Sequence, residues 1–314
     1  MRTYILIRLL QTIPVLIGIT FIAFIFMYLA PGDPAEITLR AQMDTDNPPT
    51  EAIIEMQKEM RLDQPWYIQY IAWLDRVVHG DLGYSYQTRR TTVDEIKRAF
   101  PVTFILSTIT IIISCIIAIP IGIAAGLRPN GFVDHLSRVL SILGLSIPDF
   151  FLGILGMLFF SIYLKILPVA GYKGPQYLIL PAICLSAGLF AITMRLMRTS
   201  TAEVLEEEYI RTAVSKGLDK KTIIARHTLK NSIIPVITYI GTQYGWLFGS
   251  AMIVETLFAL PGMGRLFVEA ASTRDFMVMQ GCILVFALIF VFINLCIDFS
   301  YYFLDPRVRE ENDF

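Results

Sequence analysis

Six long apolar segments constrain the fold of this chain more than any other feature of its sequence. They are Leu9–Ala30, Val102–Leu127, Val139–Leu164, Tyr177–Met194, Ile233–Val254 and Phe276–Ile297. Five contain no Asp, Glu, Lys or Arg, and the third contains only Asp149. A helix needs about 20 apolar residues to cross the roughly 30 Å hydrocarbon core of a bilayer. We therefore expect six transmembrane helices.

Composition agrees with a protein whose main solvent is the lipid bilayer. The chain is 55% hydrophobic and 17% charged, against roughly 45–50% and about 25% in globular domains. We expect an all-α integral membrane protein with residues 1–314 forming a single transmembrane domain. The net charge of −1 gives no indication of a nucleic-acid partner. The four cysteines lie in apolar runs without CxxC spacing, so we expect neither disulfides nor a thiolate metal site.

The basic residues of the short loops predict the orientation in the membrane, because Lys and Arg accumulate on the cytoplasmic side. The first apolar run is longer than the roughly 7–15 residues of a cleavable signal, so we interpret it as a retained span. On the side of the N-terminus the loops carry Arg2, Arg8, Arg128, Arg138, Arg211, Lys216, Lys220, Lys221, Arg226, Lys230, Arg307 and Arg309. On the other side they carry Lys165, Lys173, Arg265 and Arg274. Both termini are therefore predicted to be cytoplasmic.

Residues 31–101 form the largest segment on the predicted external side, and we expect this insertion to be helical. Thr50 can cap a helix reading EAIIEMQKEM. A second helix is predicted to begin with Pro65 at its first position and to end at Gly80. Its face of Trp66, Tyr70, Trp73 and Val77 could pack on the outer ends of the spans or at the membrane interface, or could dock an external partner.

Recognisable catalytic and nucleotide-binding motifs are missing from the sequence. There is no GxxxxGK[ST] phosphate loop and no GxSxG nucleophile motif. The histidines, His79, His135 and His227, are far apart and lack HExxH spacing. We predict no catalytic residue, no metal site and no cofactor in this chain, so any ATP would be hydrolysed by another subunit.

Four polar residues in or near the apolar segments are candidates for a translocation path, because buried polar groups in a membrane usually have a function. They are Asp149, Gln243, Glu255 and Asn294. Each also has a structural interpretation. Asp149 could be paired near a kink at Pro148, Glu255 could lie at the interface, and the two amides could bond between helices.

A charged segment, Glu207–Asn231, interrupts the apolar pattern between the fourth and fifth predicted spans. Leu205, Tyr209 and Ala213 recur at helical spacing from Ala202 onward, which predicts one semi-apolar helix face. Gly217 is the natural residue to end this helix, and Asp219 can cap a second one. The segment therefore predicts two short helices joined by a tight break, within a cytoplasmic loop spanning residues 200–232.

The quoted residues of this loop resemble those of a known transporter family. YIRTAVSKGL followed by RHTLKN is similar to the coupling loop in permease subunits of ATP-binding-cassette importers that use external solute-binding proteins. This form of the coupling-loop motif resembles that of the peptide and nickel branch of the family, which contains the B-type permeases for dipeptides and oligopeptides. Only Ala213, Gly217 and Leu229 match the family's general Glu-Ala-Ala pattern. The resemblance extends to APGDPA, LDQPWYIQY, HGDLG, LGLSIPDFF, MIVETLFALPGMGRLF and the terminal DPRVR.

This resemblance implies a type I importer permease in a prokaryotic cytoplasmic membrane. Its partners would be a second, similar permease, two cytoplasmic ATPases that bind ATP and Mg²⁺, and an external solute-binding protein. Carried over by motif, the ATPase-coupling residues would be Tyr209, Arg211, Thr212, Ala213, Lys216, Gly217, Leu218 and His227. The implied cargo is small peptides moved by alternating access. The alternatives are nickel or a metal chelate, or a stand-alone secondary carrier that uses Asp149 and Glu255.

Overall fold

The structure is a computed structural model that describes residues 2–29, 32–43 and 45–304. Ala30, Pro31 and the DPRVR stretch, with the predicted cytoplasmic Arg307 and Arg309, lie outside the described residues. Contacts between Cα atoms divide the chain into two compact units. The first unit comprises Met1–Thr103 and Pro261–Phe292, and the second comprises Phe104–Leu260 and Ile293–Phe314.

The described chain consists mostly of helices. In chain order they are α1 (Arg2–Leu29), α2 (Pro34–Met43), α3 (Thr50–Glu59), α4 (Trp66–Val78), α5 (Thr92–Leu127), α6 (Phe132–Ser146), α7 (Asp149–Gly156), α8 (Gln176–Glu206), α9 (Glu208–Ser215), α10 (Lys220–Thr222), α11 (Leu229–Ser232), α12 (Ile234–Leu257), α13 (Met263–Thr273) and α14 (Phe276–Leu304). Two π-helical segments, Met157–Tyr163 and Ile223–Thr228, continue α7 and α10. A two-stranded hairpin, β1 (Tyr84–Ser85) with β2 (Arg90–Thr91), adds four strand residues to the otherwise helical architecture that the sequence predicted.

The predicted external insertion contains the two expected helices and further elements that the sequence did not indicate. Pro49 and Pro65 occupy the N-cap positions of α3 and α4, so the predictions of Thr50 as a cap and of Pro65 as the first helical residue are both wrong. Gly80 follows α4 with a left-handed φ of 81°, as its position suggested. Helix α2, the β hairpin and the ten extra residues at the start of α5 were not predicted, because their short or mixed patterns carry no clear periodicity.

The aromatic face of α4 packs on α1 within the first unit. Tyr70 and Trp73 are buried together with Phe24. The Tyr70 hydroxyl group donates to the carbonyl oxygen of Ile17 at 3.1 Å and also contacts the Thr20 hydroxyl at 3.1 Å. Of the interpretations offered by the sequence, packing of this face against another helix of the chain, here α1, is therefore the one that the structure supports.

Within the described residues, three helical stretches are long and apolar enough to cross a membrane. These are α5, α8 and the Phe276–Ile297 part of α14. The predicted third span is not one straight helix, because α6 and the α7 segment meet at a 96° bend. Pro148 lacks an N–H group, and it holds Ile147 in an extended conformation at φ −102° and ψ 121°. Counting the bent pair as one span gives four in the described residues, and the total of six stays a prediction.

Glycines let the helices of the second unit approach closely around α8. A Cβ atom on Gly122 of α5 would lie 2.7 Å from the carbonyl oxygen of Met194. A Cβ atom on Gly126, one turn later, would lie 2.6 Å from the carbonyl oxygen of Arg198. Gly144 of α6 makes the same kind of approach to Ala187. Small residues permit such backbone contacts between membrane helices, so α8 is held by two neighbours before it enters the charged loop.

Candidate functional site

The charged loop is a folded element that connects α8 directly to α12. Helix α8 ends at Glu206, and Glu207 is extended with φ −64° and ψ 145°. The predicted continuous helix from Ala202 is therefore wrong, since the chain breaks at Glu207 and starts again as α9. After α9, the chain passes through α10, its π-helical continuation and α11 before α12 begins at Ile234.

The break between α9 and α10 has the hydrogen bonds of a Schellman motif. Gly217 adopts a φ of 75°, in the left-handed region that glycine enters without penalty. Its N–H group donates to the Val214 carbonyl at 2.9 Å, and the Leu218 N–H group donates to the Ala213 carbonyl at 3.3 Å. These bonds satisfy carbonyl groups that the helix end would otherwise leave open. The prediction that Gly217 ends the first helix of the loop is confirmed.

The second helix of the loop is capped by Asp219, as its sequence indicated. The carboxylate of Asp219 accepts a hydrogen bond from the Thr222 backbone N–H at 3.3 Å. Hydrogen bonds from the Thr222 side chain and backbone lower the pKa of Asp219. The residue is therefore a carboxylate at neutral pH, where its negative charge favours the start of a helix.

The loop has a small apolar core of its own. Ile210, Ala213 and Ile223 are each 4–6% exposed and pack together. The predicted face of Leu205, Tyr209 and Ala213 is wrong at Tyr209, which is 40% exposed. The Tyr209 hydroxyl oxygen instead accepts a hydrogen bond from the Asn231 side-chain amide at 2.7 Å. The start of the loop is thereby bonded to its end.

The outer surface of the loop combines basic and apolar side chains. Of the residues predicted for coupling, Tyr209, Arg211, Thr212, Lys216, Gly217 and Leu218 are exposed, His227 is half-buried and Ala213 is buried. In the chain on its own, Ala213 thus lies beneath this surface. Val214 was missed by sequence reasoning, although it is 59% exposed. Val214 could have been recognised from the sequence as an apolar residue within a charged segment.

A buried carboxylate fixes α6 to the end of α8 that leads into the loop. Asp134 is completely buried and accepts hydrogen bonds from Arg198 at 2.6 and 3.1 Å. Arg138 of α6 adds a bond at 2.7 Å, and the Asn130 backbone N–H adds one at 2.8 Å. Bidentate arginine–carboxylate pairs are geometrically specific. This pair could not be predicted from sequence patterns, because its partners are 64 residues apart.

The four candidate path residues all lie in the second unit, but the structure does not gather them into one site. Asp149 is half-buried at the start of α7, directly after the bend at Pro148. Glu255 is fully buried in α12. Gln243 is half-buried on the same helix, twelve positions earlier, which corresponds to about 18 Å along the axis. Asn294 is half-buried on α14. Gln243 and Glu255 therefore cannot hold the same small group.

The described residues contain no cluster of three His, Cys, Asp or Glu side chains that could hold a metal ion. His79, His135 and His227 lie on or beside α4, α6 and the π-helical part of the loop, respectively. The prominent polar features of the second unit are thus the charged loop and the buried pair at its base.

Two family models together match most of the chain. Residues 118–310 match the family described as binding-protein-dependent transport system inner membrane component. Residues 1–107 match the N-terminal model of binding-protein-dependent transport system membrane components.

Curated relatives match the chain over almost its whole length. The glutathione transport system permease protein GsiC of Salmonella typhimurium (strain LT2) is 37% identical over 309 residues. The protein of the same name from Escherichia coli (strain K12) is 37% identical over 310 residues. Each alignment covers 98% of this chain and 99% of the relative.

Proposed function

The chain belongs to the family of inner-membrane components of binding-protein-dependent transport systems, and from that premise we propose that it imports short peptides. It is a multi-pass inner-membrane protein and the permease subunit of an ATP-binding-cassette importer, not itself an ATPase. The family resemblance identified in the sequence is confirmed, including its peptide and nickel branch.

Short peptides are the proposed cargo because the similar GsiC proteins are named as glutathione permeases, and glutathione is a short peptide. The similarity extends over 98% of the chain. This single observation carries the substrate proposal. The alternative, import of nickel or of a metal chelate through the same architecture, predicts a different cargo on the external binding protein and is distinguished there.

The energy for import is proposed to come from partner subunits. These are two cytoplasmic ATPases that bind ATP and Mg²⁺, a second, similar permease that completes the membrane passage, and an external protein that delivers the peptide. Family membership supports this assembly, because such permeases work with binding proteins and ATPases.

The charged loop is the proposed contact with the ATPase. Val214 and Leu218 are exposed apolar side chains next to the cations of Arg211 and Lys216, a combination that a partner's groove can cover. The core around Ile210 and the hydrogen bonds of Gly217 make the loop a compact unit. A push on its surface would therefore move the attached ends of α8 and α12 together, as alternating access requires.

The proposed topology has six spans and both termini in the cytoplasm. The spans would be α1, α5, the bent α6–α7 pair, α8, α12 and α14, with residues 31–101 outside. The excess of Lys and Arg in the short loops on one side supports this orientation. It also places the 200–232 loop on the side where ATPases bind.

Reconstitution into liposomes tests the proposal. The assembled importer should take up a labelled peptide only when ATP, the two ATPases and the binding protein are all present. Mass spectrometry of the solute that co-purifies with the binding protein should identify a peptide. A metal chelate as the sole bound solute would contradict the peptide proposal.

The alternative hypothesis, a stand-alone secondary carrier, predicts uptake that does not depend on ATP. The isolated chain would then import solute along an ion gradient without ATP, and neutralising Asp149 and Glu255 would stop uptake. We expect no uptake from the isolated chain, because energy enters through partner subunits. ATP-independent uptake by the isolated chain would overturn the assignment of energy to the ATPases.

A further inference from the structure

Helix α4 has an apolar side that its packing on α1 leaves open. Tyr67, Ile71 and Val78 are 50, 62 and 79% exposed, respectively. Their spacing of four and seven positions puts them on one side of the helix, next to the buried face that contains Tyr70 and Trp73. Together they form the α4 stripe. Clustered exposed apolar side chains mark contact with another protein or with a membrane.

An apolar crevice of about 400 Å³ lies beside the α4 stripe, within the first unit. Helices α1, α4, α5 and α14 contribute to its walls, with Val77, Leu284 and Leu288 among the lining side chains. Thr20 is the one polar side chain among the described residues of the lining, and its hydroxyl group already donates to the Leu16 carbonyl at 2.8 Å. Apolar cavities of this kind stay dry and take apolar molecules, so the crevice suits a hydrocarbon chain.

The crevice lies where the exposed surface of α14 begins. Residues 276–287 are buried or half-buried, and Leu288 is the first exposed residue of this helix. Helix α14 has 29 residues, about 44 Å in length, and so exceeds the roughly 30 Å hydrocarbon core by about 14 Å. Residues 276–287 extend over about 18 Å and account for this excess. The boundary of the hydrocarbon core is therefore expected near Leu288 and the crevice.

Charged side chains near the crevice are placed as the headgroup layer requires. The side chains of Asp75 and His79 are each 74% exposed, and their charged groups lie 3.8 Å apart at the end of α4. Lys97 and Arg98 are exposed near the start of α5, which also lines the crevice. Tyr67 is of the residue type that is enriched at membrane interfaces. An apolar side bordered by charges is typical of a helix that lies in the interface.

The size of the apolar side chains favours lipid over a helix of another subunit. Close contacts between membrane helices use small residues, as Gly122, Gly126 and Gly144 do around α8. The α4 stripe and the crevice present Tyr, Ile, Leu and Val side chains instead. Protein interfaces also carry about one hydrogen bond per 100–200 Å², and the crevice offers no open polar side chain among its described residues to form one.

We infer that the α4 stripe is embedded in lipid and that an acyl chain of a membrane phospholipid occupies the crevice. The stripe and the exposed side chains of Ile17 and Leu288 then form one continuous lipid-facing surface. Under the proposed topology the lipid belongs to the outer leaflet, and α4 anchors the external insertion to the membrane. The inference does not depend on which solute is imported.

A spin label at Ile71 tests the environment of the α4 stripe in the complete importer in phospholipid nanodiscs. Ile71→Cys carries the nitroxide, and Cys296→Ser removes an exposed native thiol. Power-saturation EPR measures collisions of the label with oxygen, which concentrates in hydrocarbon, and with chromium oxalate, which stays in water. We expect high accessibility to oxygen and low accessibility to chromium oxalate.

Ile54→Cys is the matched control, because Ile54 is an apolar residue of the same insertion, is 47% exposed and lies on α3, which packs on α2. Its label should be more accessible to chromium oxalate than to oxygen. High accessibility of the Ile71 label to chromium oxalate would place the stripe in water. Low accessibility to both reagents would place it against another protein. Either result would overturn the inference.

A phospholipid with a diazirine group in its acyl chain tests the crevice. After illumination of the nanodiscs, mass spectrometry should find lipid adducts on the peptide that contains Leu74 and Val77. Leu288→Trp fills the mouth of the crevice and should remove most of these adducts. Phe292→Trp, one turn further along α14 at a 67% exposed position outside the lining, should leave them unchanged.

Adducts that are absent from the unmodified importer, or that are equally abundant in Leu288→Trp, would refute the acyl chain in the crevice. If Leu288→Trp fails to fold, the unmodified importer and the Ile71 label still decide the question. Neither measurement uses peptide transport, so a failure of the proposed cargo would leave both results standing.

Discussion

Replacing Gly217 tests whether the shape of the charged loop matters for energy coupling. Gly217 has a φ of 75°, and a Cβ atom added there meets nothing within 4 Å. The cost of Gly217→Ala therefore comes from backbone conformation alone, about 1–2 kcal/mol for an L-residue in the left-handed region. This corresponds to roughly a 5–30-fold rise in local opening. Gly217→Asn should cost less, because asparagine tolerates this conformation.

Hydrogen exchange followed by mass spectrometry measures this opening in the peptide that contains α9. The coupling measurement is the number of ATP molecules hydrolysed per peptide imported by the reconstituted complex. We expect Gly217→Ala to raise both quantities and Gly217→Asn to do so less. Gly217→Pro should be the most severe change, because it also removes the N–H group that donates to Val214.

Gly80→Ala provides a matched control. Gly80 has a φ of 81° and also has nothing within 4 Å of an added Cβ, so the backbone penalty is the same at the end of α4. It should raise local exchange there and leave the ATP-to-peptide ratio unchanged. The reasoning is refuted if both variants change that ratio equally, or if Gly217→Ala leaves exchange in the loop unaltered.

Three other changes test the packing and charges around the described sites. Ala213→Leu overpacks the core beside Ile223, which typically costs about 1–3 kcal/mol, and should raise hydrogen exchange in the loop. Asp134→Asn removes the partner of Arg198, which is 25% exposed, so we expect a loss of up to about 3 kcal/mol in detergent unfolding measurements. Burial raises the pKa of Asp275, so the folded state holds its proton more tightly. The contribution of Asp275 to the free energy of unfolding should therefore fall as pH rises through the folded-state pKa. Asp275→Asn should abolish this pH dependence of the free energy of unfolding, measured from about pH 4 upward.

Long apolar runs and the residues that favour helix ends made much of the architecture predictable. The positions of α5, α8 and α14 follow from uninterrupted hydrophobic length. Gly217 and Asp219 marked helix ends because their side chains favour those local conformations. Features of this kind depend only on residues close together in the chain, so they can be predicted from the sequence.

Other features depend on contacts between distant residues and could not be predicted. The pairing of Asp134 with Arg198 joins two helices, and Gln280 lies near α4 only through folding. Pro148 marked a possible kink, but the size of the 96° bend reflects packing. Tyr209 matched the expected helix face, but the chain break at Glu207 changed which side is buried.

Photo-crosslinking from Val214 tests the central claim most directly. A benzophenone amino acid at this 59% exposed position should produce, in membranes that contain the whole importer, an adduct enlarged by the mass of one ATPase subunit. The same amino acid at Phe132, which is 82% exposed and predicted to be on the same side of the membrane, is the control and should give much less of that adduct. An adduct from Val214 to lipid or to other proteins only, with the ATPase present and active, would contradict the account.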